Sequence, residues 1–503
     1  MGEFSRRIVL THAALAGAAV TSALVLGRNE SREAVLPAAR SLSPVGFSAG
    51  SAILYMNDAD QNQTLDALVA TRATQIRFDI PWVFAQPSPT TFQWDFVDRV
   101  VDKARARNLS ILAVLTSCPP WAALNQSSQP MTRPAQASTY ATFAAAAARR
   151  YRGKITAYEI WNEPNGDMFF APAPDPTFYA SMMVAAYNAI KAVDSSLTVV
   201  AGAMGPVDDG VGTISANKFL ATMYAAGVAG KFDALSFHPY ENDATFAGAS
   251  LYENSPARQM IGLHNTMKAR GDGAKKIWLT EYGASTFDIT ADAQNALVTG
   301  SLRQWPEVSF AGPMYLYTVR DADSSLAESE AQFGAFTSTY QPKPLAYSIE
   351  SYVRLGMPER EEGQVFDANA DAALGKSVTP VFRISYGYGQ EFELGSRFLS
   401  NGGFLSSPPA VAEVARRNGL VPITPFTNDM QDFDKDTGFR VYSRPATTGT
   451  HVLVGSFITT WQPSMGFPVT DVYAVPGTQN WAVDCEFARM TYSPTTGMSV
   501  TPT

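Results

Sequence analysis

Two glutamates stand where a carboxyl group can do chemistry. Glu163 lies in Tyr158-Glu159-Ile160-Trp161-Asn162-Glu163-Pro164-Asn165, and Glu281 in Ile277-Trp278-Leu279-Thr280-Glu281-Tyr282-Gly283. Each follows a short apolar run and precedes a turn residue, as expected at the exit of a strand. Period-two alternation puts Tyr158, Ile160 and Asn162 on one face of the first strand, and Glu159, Trp161 and Glu163 on the other. Two carboxyl groups facing each other across a cleft can protonate a leaving oxygen with one member and attack, or activate water, with the other. Cleavage of a glycosidic bond needs such a pair. A single glutamate on a strand is as readily an ion-pair partner, whereas a matched pair is harder to read that way.

The elements around them alternate. From Val45 to about Leu355, short runs rich in β-branched residues are followed by helical patterns. The strands predicted are 45–47, 74–80, 110–115, 156–161, 198–203, 234–237, 276–280 and 312–317. Between them, 96–107 carries Val97, Val100, Val101 and Ala104 on one helical face, 140–150 is Ala-rich, and 178–193 is amphipathic. Eight such units in this length suit an α/β fold, a (β/α)8 TIM barrel over 44–357 ending in a helix 344–355. A doubly wound open sheet is the other candidate, but no Gly-rich phosphate loop follows the first strand. In a barrel the two glutamates reach the same rim, three strands apart.

Trp161-Asn162-Glu163-Pro164 and Thr280-Glu281-Tyr282-Gly283 resemble the two signatures of clan A glycoside hydrolases, closest to cellulase-like and family-thirty-nine-like members. The resemblance covers most of 45–355. It implies an enzyme that hydrolyses O-glycosyl bonds with retention, Glu163 as acid/base and Glu281 as nucleophile. It further implies that Asn162 binds the sugar 2-hydroxyl and that Arg77, in Ile76-Arg77-Phe78-Asp79, keeps Glu281 ionised. His238 and Tyr240 match positions near the nucleophile, and Tyr240 would hold one Glu281 oxygen. His238 read alone is a satisfied wall residue. Two features depart from the clan. The third strand leads into Thr116-Ser117-Cys118, where His is common, and the eighth ends in Tyr315-Leu316-Tyr317, where Trp is common. Tyr315 and Tyr317 are therefore candidate substrate contacts. Trp82, Trp121 and Tyr282 are either sugar platforms or rim packing.

Other functions fit less well. The formal net charge of -8 argues against nucleic acid as a partner. Four histidines and two cysteines, Cys118 and Cys485, cannot furnish a thiolate cluster and hardly a catalytic metal site, so no metal or cofactor is expected. No Gly-x-Ser-x-Gly elbow suggests a serine hydrolase. Ser5-Arg6-Arg7-Ile8-Val9-Leu10 before an apolar stretch resembles a twin-arginine export signal, with an ordinary secretory signal or an uncleaved anchor as alternatives. Residues 1–43 are thus expected to be signal and linker, and the chain to be exported.

A charged run, Glu359 to Gly363, marks the expected domain boundary. Beyond it, 364–503 carries a weak repeat. One copy holds Phe398, Gly419-Leu420-Val421-Pro422-Ile423-Thr424 and Gly438–Ser443; the other holds Phe457, Met465-Gly466-Phe467-Pro468-Val469-Thr470 and Phe487–Ser493. It resembles LGFP-type repeats of exported bacterial proteins, which implies a cell-wall polymer as partner; a packing appendage is the plainer reading. The expected partner of the barrel is a carbohydrate. The alternatives to a hydrolase are a non-catalytic carbohydrate- or wall-binding protein on the same barrel, and a wall-anchored structural protein.

Overall fold

Eight parallel strands close into a barrel: β1 (Val45–Ser48), β2 (Gln75–Pro81), β3 (Ser110–Thr116), β4 (Ala157–Asn162), β5 (Thr198–Met204), β6 (Ala234–Phe237), β7 (Ile277–Tyr282) and β8 (Ala311–Tyr317), with β8 pairing back onto β1. The structure is a computed structural model that describes residues 45–433 and 438–503. The expected export signal and linker, 1–43, lies outside the described residues. Every strand falls within two residues of its predicted run.

The helices follow from their sequences. Asp95–Ala106 buries Val97, Val100, Val101 and Ala104, and its Asp95 and Asp98 at one end and Lys103 and Arg105 at the other complement the helix dipole. Pro176–Val193 begins with Asp175 accepting from Phe178 N and with proline in its first turn. The main apolar core lies between strands and helices. Inside the barrel, Leu112, Ala157, Val200, Ala234 and Tyr315 form a smaller apolar layer near the strand beginnings. Toward the strand ends the interior becomes polar and charged.

The tail holds three antiparallel sheets. The first has β9 (Phe382–Ile384), β10 (Gly387–Phe392), β11 (Gly395–Ser400) and β12 (Gly403–Ser407). The second has β13 (Met430–Phe433), β14 (Phe439–Arg444) and β15 (Gly449–Val454). The third has β16 (Tyr473–Ala474), β17 (Trp481–Asp484), β18 (Ala488–Ser493) and β19 (Gly497–Pro502). A helix precedes each sheet: Glu361–Ala368, Pro409–Arg417 and Ser456–Thr460.

The sheets repeat one local design. Val378, Ile423 and Val469 donate their backbone N–H to the carbonyls of Glu391, Asp432 and Asp484 at 2.8, 2.9 and 2.8 Å. The next residues, Thr379, Thr424 and Thr470, accept on Oγ1 the N–H of the same three acidic residues at 2.9, 3.0 and 3.0 Å. There are thus three copies where sequence suggested two. The first is masked in the sequence because Ser377 replaces the proline of Pro422 and Pro468 at the bridging position. Phe398 and Phe457, aligned in the sequence repeat, are not equivalent: one lies in β11, the other in a helix.

Contacts do cross at the charged run expected to be a bare boundary. Arg360 Nη1 donates to both oxygens of Glu307 at 3.1 and 3.2 Å, and Val381 N donates to Glu307 Oε2 at 2.9 Å. Arg258, on the barrel helix Pro256–Ala269, forms a two-pronged ion pair with Glu391. Ala247 and Leu251 of the barrel pack with Phe382, Phe398 and Val411 of the tail. Barrel and tail belong to one compact unit.

Candidate active site

Both catalytic candidates sit where the strand pleat is broken. In β4, Tyr158 and Ile160 belong to the outer core, and Glu159 faces inward to bond Arg77. Trp161 should then point inward. Instead its backbone is left-handed, with φ of 70°, and its indole packs outward on Tyr140 and Phe170. An aromatic residue with positive φ is strained, and here the surroundings hold it. Trp161 Nε1 donates to Phe169 O at 2.6 Å, and Tyr179 Oη donates to Ile160 O at 2.6 Å. Gly202 leaves the room; a Cβ there would stand 2.7 Å from the Trp161 carbonyl. The consequence corrects the alternation expected from sequence: Asn162 turns inward with Glu159, and Trp161 turns outward with Ile160. Glu163 follows with φ of 43°, and Asn165 ties its loop to Gly205 through two bonds of 2.9 Å.

In β7 the device is a bulge. Leu279 pairs with Met314 and Tyr282 with Leu316, so β7 spends one residue more than β8 over this step. Thr280 and Glu281 therefore both face the interior. Tyr282 faces the helix Ala291–Gln304, where its hydroxyl meets Ser301 Oγ at 2.8 Å.

Arg77, only 1% exposed, is the hub. It donates from Nε to Glu159 Oε2 at 2.8 Å, from Nη1 to Ser48 Oγ at 3.0 Å and to Glu281 Oε1, and from Nη2 to Asn162 Oδ1 at 2.9 Å. Tyr240 Oη donates to Glu281 Oε2 at 3.0 Å. Burial alone would raise the Glu281 carboxyl. The nearby His238 imidazole and Arg77 guanidinium, with hydrogen bonds from Tyr240 and Arg77, outweigh it and hold the group below the usual carboxylate range. Burial and the neighbouring Glu281 keep Tyr240 a neutral donor, its phenol pushed well above the ordinary value.

Glu163 meets the same site from the other side. His238 Nδ1 lies 2.8 Å from Glu163 Oε1 and 3.8 Å from Glu281 Oε2; their sum, 6.6 Å, is the largest separation those two oxygens can have. Asn162, partly exposed, keeps its amide nitrogen free of the Arg77 contact, which uses its oxygen. Tyr317 lines the mouth beside Tyr240 and Phe333, with ring centroids 6.5 and 5.5 Å away.

Other expected contacts are not brought there. Trp82 is fully buried, stacked on Phe143 in the outer layer, so it cannot meet a sugar. Tyr282 is fully buried and points outward, and Tyr315, 3% exposed, belongs to the apolar layer inside the barrel. Trp121 is half-buried, its Nε1 bonded to Gln86 O at 3.0 Å and its ring set edgewise on Trp82. Arg77 is too buried to be a substrate contact and acts on the carboxylates instead.

Several residues of the site were missed. Glu159, Ser48 and Thr280 complete the charge network. Asp79 lies two residues beyond Arg77 on the same strand, so it shares the inward face nearer the mouth. Withdrawal from water raises its carboxyl, Arg77 lowers it, and Glu281 and Glu159 raise it again, to about 7. Period-two counting from Arg77 was the signal available for Asp79. Exposed Tyr55 and Phe84, set edge to face at 6.0 Å, stand on the short helices Ala52–Tyr55 and Trp82–Ala85 that follow β1 and β2.

The cellulase model of glycosyl hydrolase family 5 matches residues 39–308, more than half of the chain. None of the curated proteins compared matches it. Among solved structures, a family 39 glycoside hydrolase from the gut symbiont Bacteroides cellulosilyticus WH2 superposes with a TM-score of 0.53 at 15% identity, over 92% of this chain and 79% of that one. The GH5_18 enzyme from Streptomyces cattleya, in complex with GlcNAc, gives 0.51 at 17% identity, over 64% and 83%. At such identities the likeness is one of fold. The family match and the paired carboxylates at the barrel mouth lead to one conclusion: the chain is a glycosidase and belongs to the cellulase family, glycosyl hydrolase family 5.

Proposed function

We propose that the enzyme hydrolyses O-glycosyl bonds with retention, by double displacement, with Glu163 as acid/base and Glu281 as nucleophile. The observation that carries this reading is the shared contact of both carboxylates with His238, which bounds their nearest oxygens at 6.6 Å. That limit accommodates the retaining spacing of about 5–5.5 Å and meets only the lower edge of the roughly 6.5–9.5 Å that a base-activated water needs. The roles follow from the neighbours. Glu281 is held ionised by Arg77 and Tyr240, as a nucleophile must be. In the first step a Glu281 oxygen attacks the anomeric carbon while Glu163 gives its proton to the departing oxygen. In the second, Glu163 takes a proton from water, which releases the sugar from Glu281. Asn162, oriented by Arg77, offers its amide N–H to the 2-hydroxyl.

The test is Glu163→Ala. Glycosides with poor leaving groups should slow by about 10²–10⁴-fold, and activated aryl glycosides far less, because they need little protonation. Azide should restore part of the rate and yield a glycosyl azide. Equal losses on good and poor leaving groups would remove Glu163 from the acid role.

The substrate is proposed to be an extracellular or cell-envelope glycan reached by export through the N-terminal signal. The tail is proposed to be an LGFP-like module that holds the enzyme on a wall polymer. Supporting this is a cleft of about 540 Å³ between the second and third copies, lined by Phe439, Asp471, Trp481 and Tyr492. Trp481 is 48% exposed and lies directly across from Tyr492 on the neighbouring strand, so the two rings share one face. Half-exposed aromatic faces next to a carboxylate suit a sugar chain.

A further inference from the structure

Thr280 Oγ1 has three partners, and their chemistry fixes the direction of every bond. A hydroxyl donates once and accepts twice. Its neighbours are Glu159 Oε1 at 3.0 Å, His238 Nε2 at 3.0 Å and Ser236 Oγ. Glu159 is fully buried and already accepts from Arg77 Nε on one oxygen and from Ala203 N, at 3.1 Å, on the other. Paired with a guanidinium it can only accept, so the Thr280 proton goes to Glu159. The remaining two contacts of Thr280 must then be acceptances, from the Ser236 hydroxyl and from an N–H on His238 Nε2.

We infer that Glu159 and Thr280 are positioning residues that hold His238 as the Nε2–H tautomer and thereby set the proton affinity of Glu163. The inference rests on the acid/base role proposed for Glu163. With Nε2 protonated, a neutral His238 presents a lone pair on Nδ1 to Glu163 Oε1 at 2.8 Å. Two lone pairs cannot face each other at that distance without repulsion, so one proton lies between them, and Glu163 and His238 hold it in common. When Glu163 passes that proton to the leaving oxygen, the repulsion appears, and it is relieved when the carboxylate takes a proton from water in the second step. The other titratable groups around this pair are Glu281, 3.8 Å from His238 Nδ1, Tyr240, whose ring centroid is 6.2 Å from that of His238, and Glu330, whose carboxyl is raised by burial and by the charges of Glu281 and Glu163. The chain therefore links both halves of the reaction. Arg77 fixes Glu281 directly, and through Glu159, Thr280 and His238 it fixes the proton of Glu163.

Thr280→Val removes the acceptor for Nε2–H at nearly constant volume. His238 then adopts the Nδ1–H form, donates to the Glu163 carboxylate and favours its ionised state. The basic limb of kcat/KM should move to lower pH by about one unit, corresponding to a tenfold change in the proton equilibrium. Poor leaving groups should suffer most, and Thr280→Ser should restore the wild-type profile. The second measurement is ¹⁵N NMR of histidine-labelled enzyme, practical with four histidines in the chain. The wild type should show His238 as the Nε2–H tautomer and Thr280→Val should lose it. A Nδ1–H tautomer in the wild type, an unmoved basic limb in Thr280→Val, or a shift that Thr280→Ser does not reverse would overturn the inference. Loss of leaving-group dependence in Glu163→Ala, with the tautomer as stated, would overturn the acid/base reading and leave the tautomer assignment standing.

Discussion

The barrel mouth and the tail use the same materials to opposite ends. Both contain acidic residues bonded to arginine. In the tail these pairs are local: Asp432 with Arg440 across β13 and β14, and Asp484 with Arg489 across β17 and β18, at the surface and on unbroken pleats. Such pairs contribute little, and they stand in the same register in the second and third copies, whereas Glu391 of the first reaches Arg258 of the barrel. In the mouth, one buried guanidinium serves Glu159 on β4 and Glu281 on β7, and the backbone of both strands leaves the regular pleat to bring the groups in. Buried charges of this kind cost desolvation and persist where their arrangement is needed. Regularity thus marks the part that does no covalent chemistry, and broken regularity marks the part that has to react.

Three substitutions sharpen the contrast. Arg77→Met should have the largest effect, because it strands two carboxylates in the interior. A loss of about 3–5 kcal/mol of stability is expected from denaturant titration. Arg77 helps hold the Glu281 carboxyl low, so without it that group ionises at higher pH and the acid limb of kcat/KM should move upward, with a loss of rate at neutral pH. Glu307→Ala acts at the seam between barrel and tail. It should cost about 1–3 kcal/mol by leaving Arg360 Nη1 and Val381 N without that acceptor, while Glu362 still pairs with Arg360, yet leave kcat/KM on a soluble aryl glycoside unchanged. A drop in kcat/KM matching that of Arg77→Met would erase the distinction between the two regions. Trp481→Ala should change neither stability nor rate appreciably, and should reduce only co-sedimentation with purified cell wall. Undiminished co-sedimentation would remove the tail cleft from the tethering role.

The sequence was most legible where local rules hold. The eight strands and their helices follow from apolar period and β-branched runs, and the strand-end position of Glu163 and Glu281 follows from the turn residues after them. Legibility failed where the pleat breaks. Alternation placed Asn162 with Ile160, because nothing in Ile-Trp-Asn-Glu announces that Trp161 will turn left-handed and swing outward. Counting by twos also hid that Thr280 and Glu281 face inward together, since a bulge depends on the neighbouring strand. Trp82, Tyr282 and Tyr315 were drawn toward the substrate because aromatic residues near strand ends serve packing and binding equally well, and only burial separates the two. Glu159, three residues before the inward Asn162, reads as an ordinary strand residue, because its partner Arg77 lies two strands away on β2. In the tail, the first of three copies was hidden by one serine in place of proline, although its backbone bonds are the same.

The central claim is that Glu281 forms a covalent bond to the sugar, and its most direct test is to trap that bond. A 2-deoxy-2-fluoro aryl glycoside with a good leaving group slows both steps but lets the first proceed, so the intermediate accumulates. Mass spectrometry of the intact protein should show one added fluoroglycosyl group. Peptide mapping should place it on Glu281, and activity should return as the label is slowly released. A label on Glu163 or elsewhere, or unlabelled enzyme that turns the true substrate over with inversion, would contradict the double displacement.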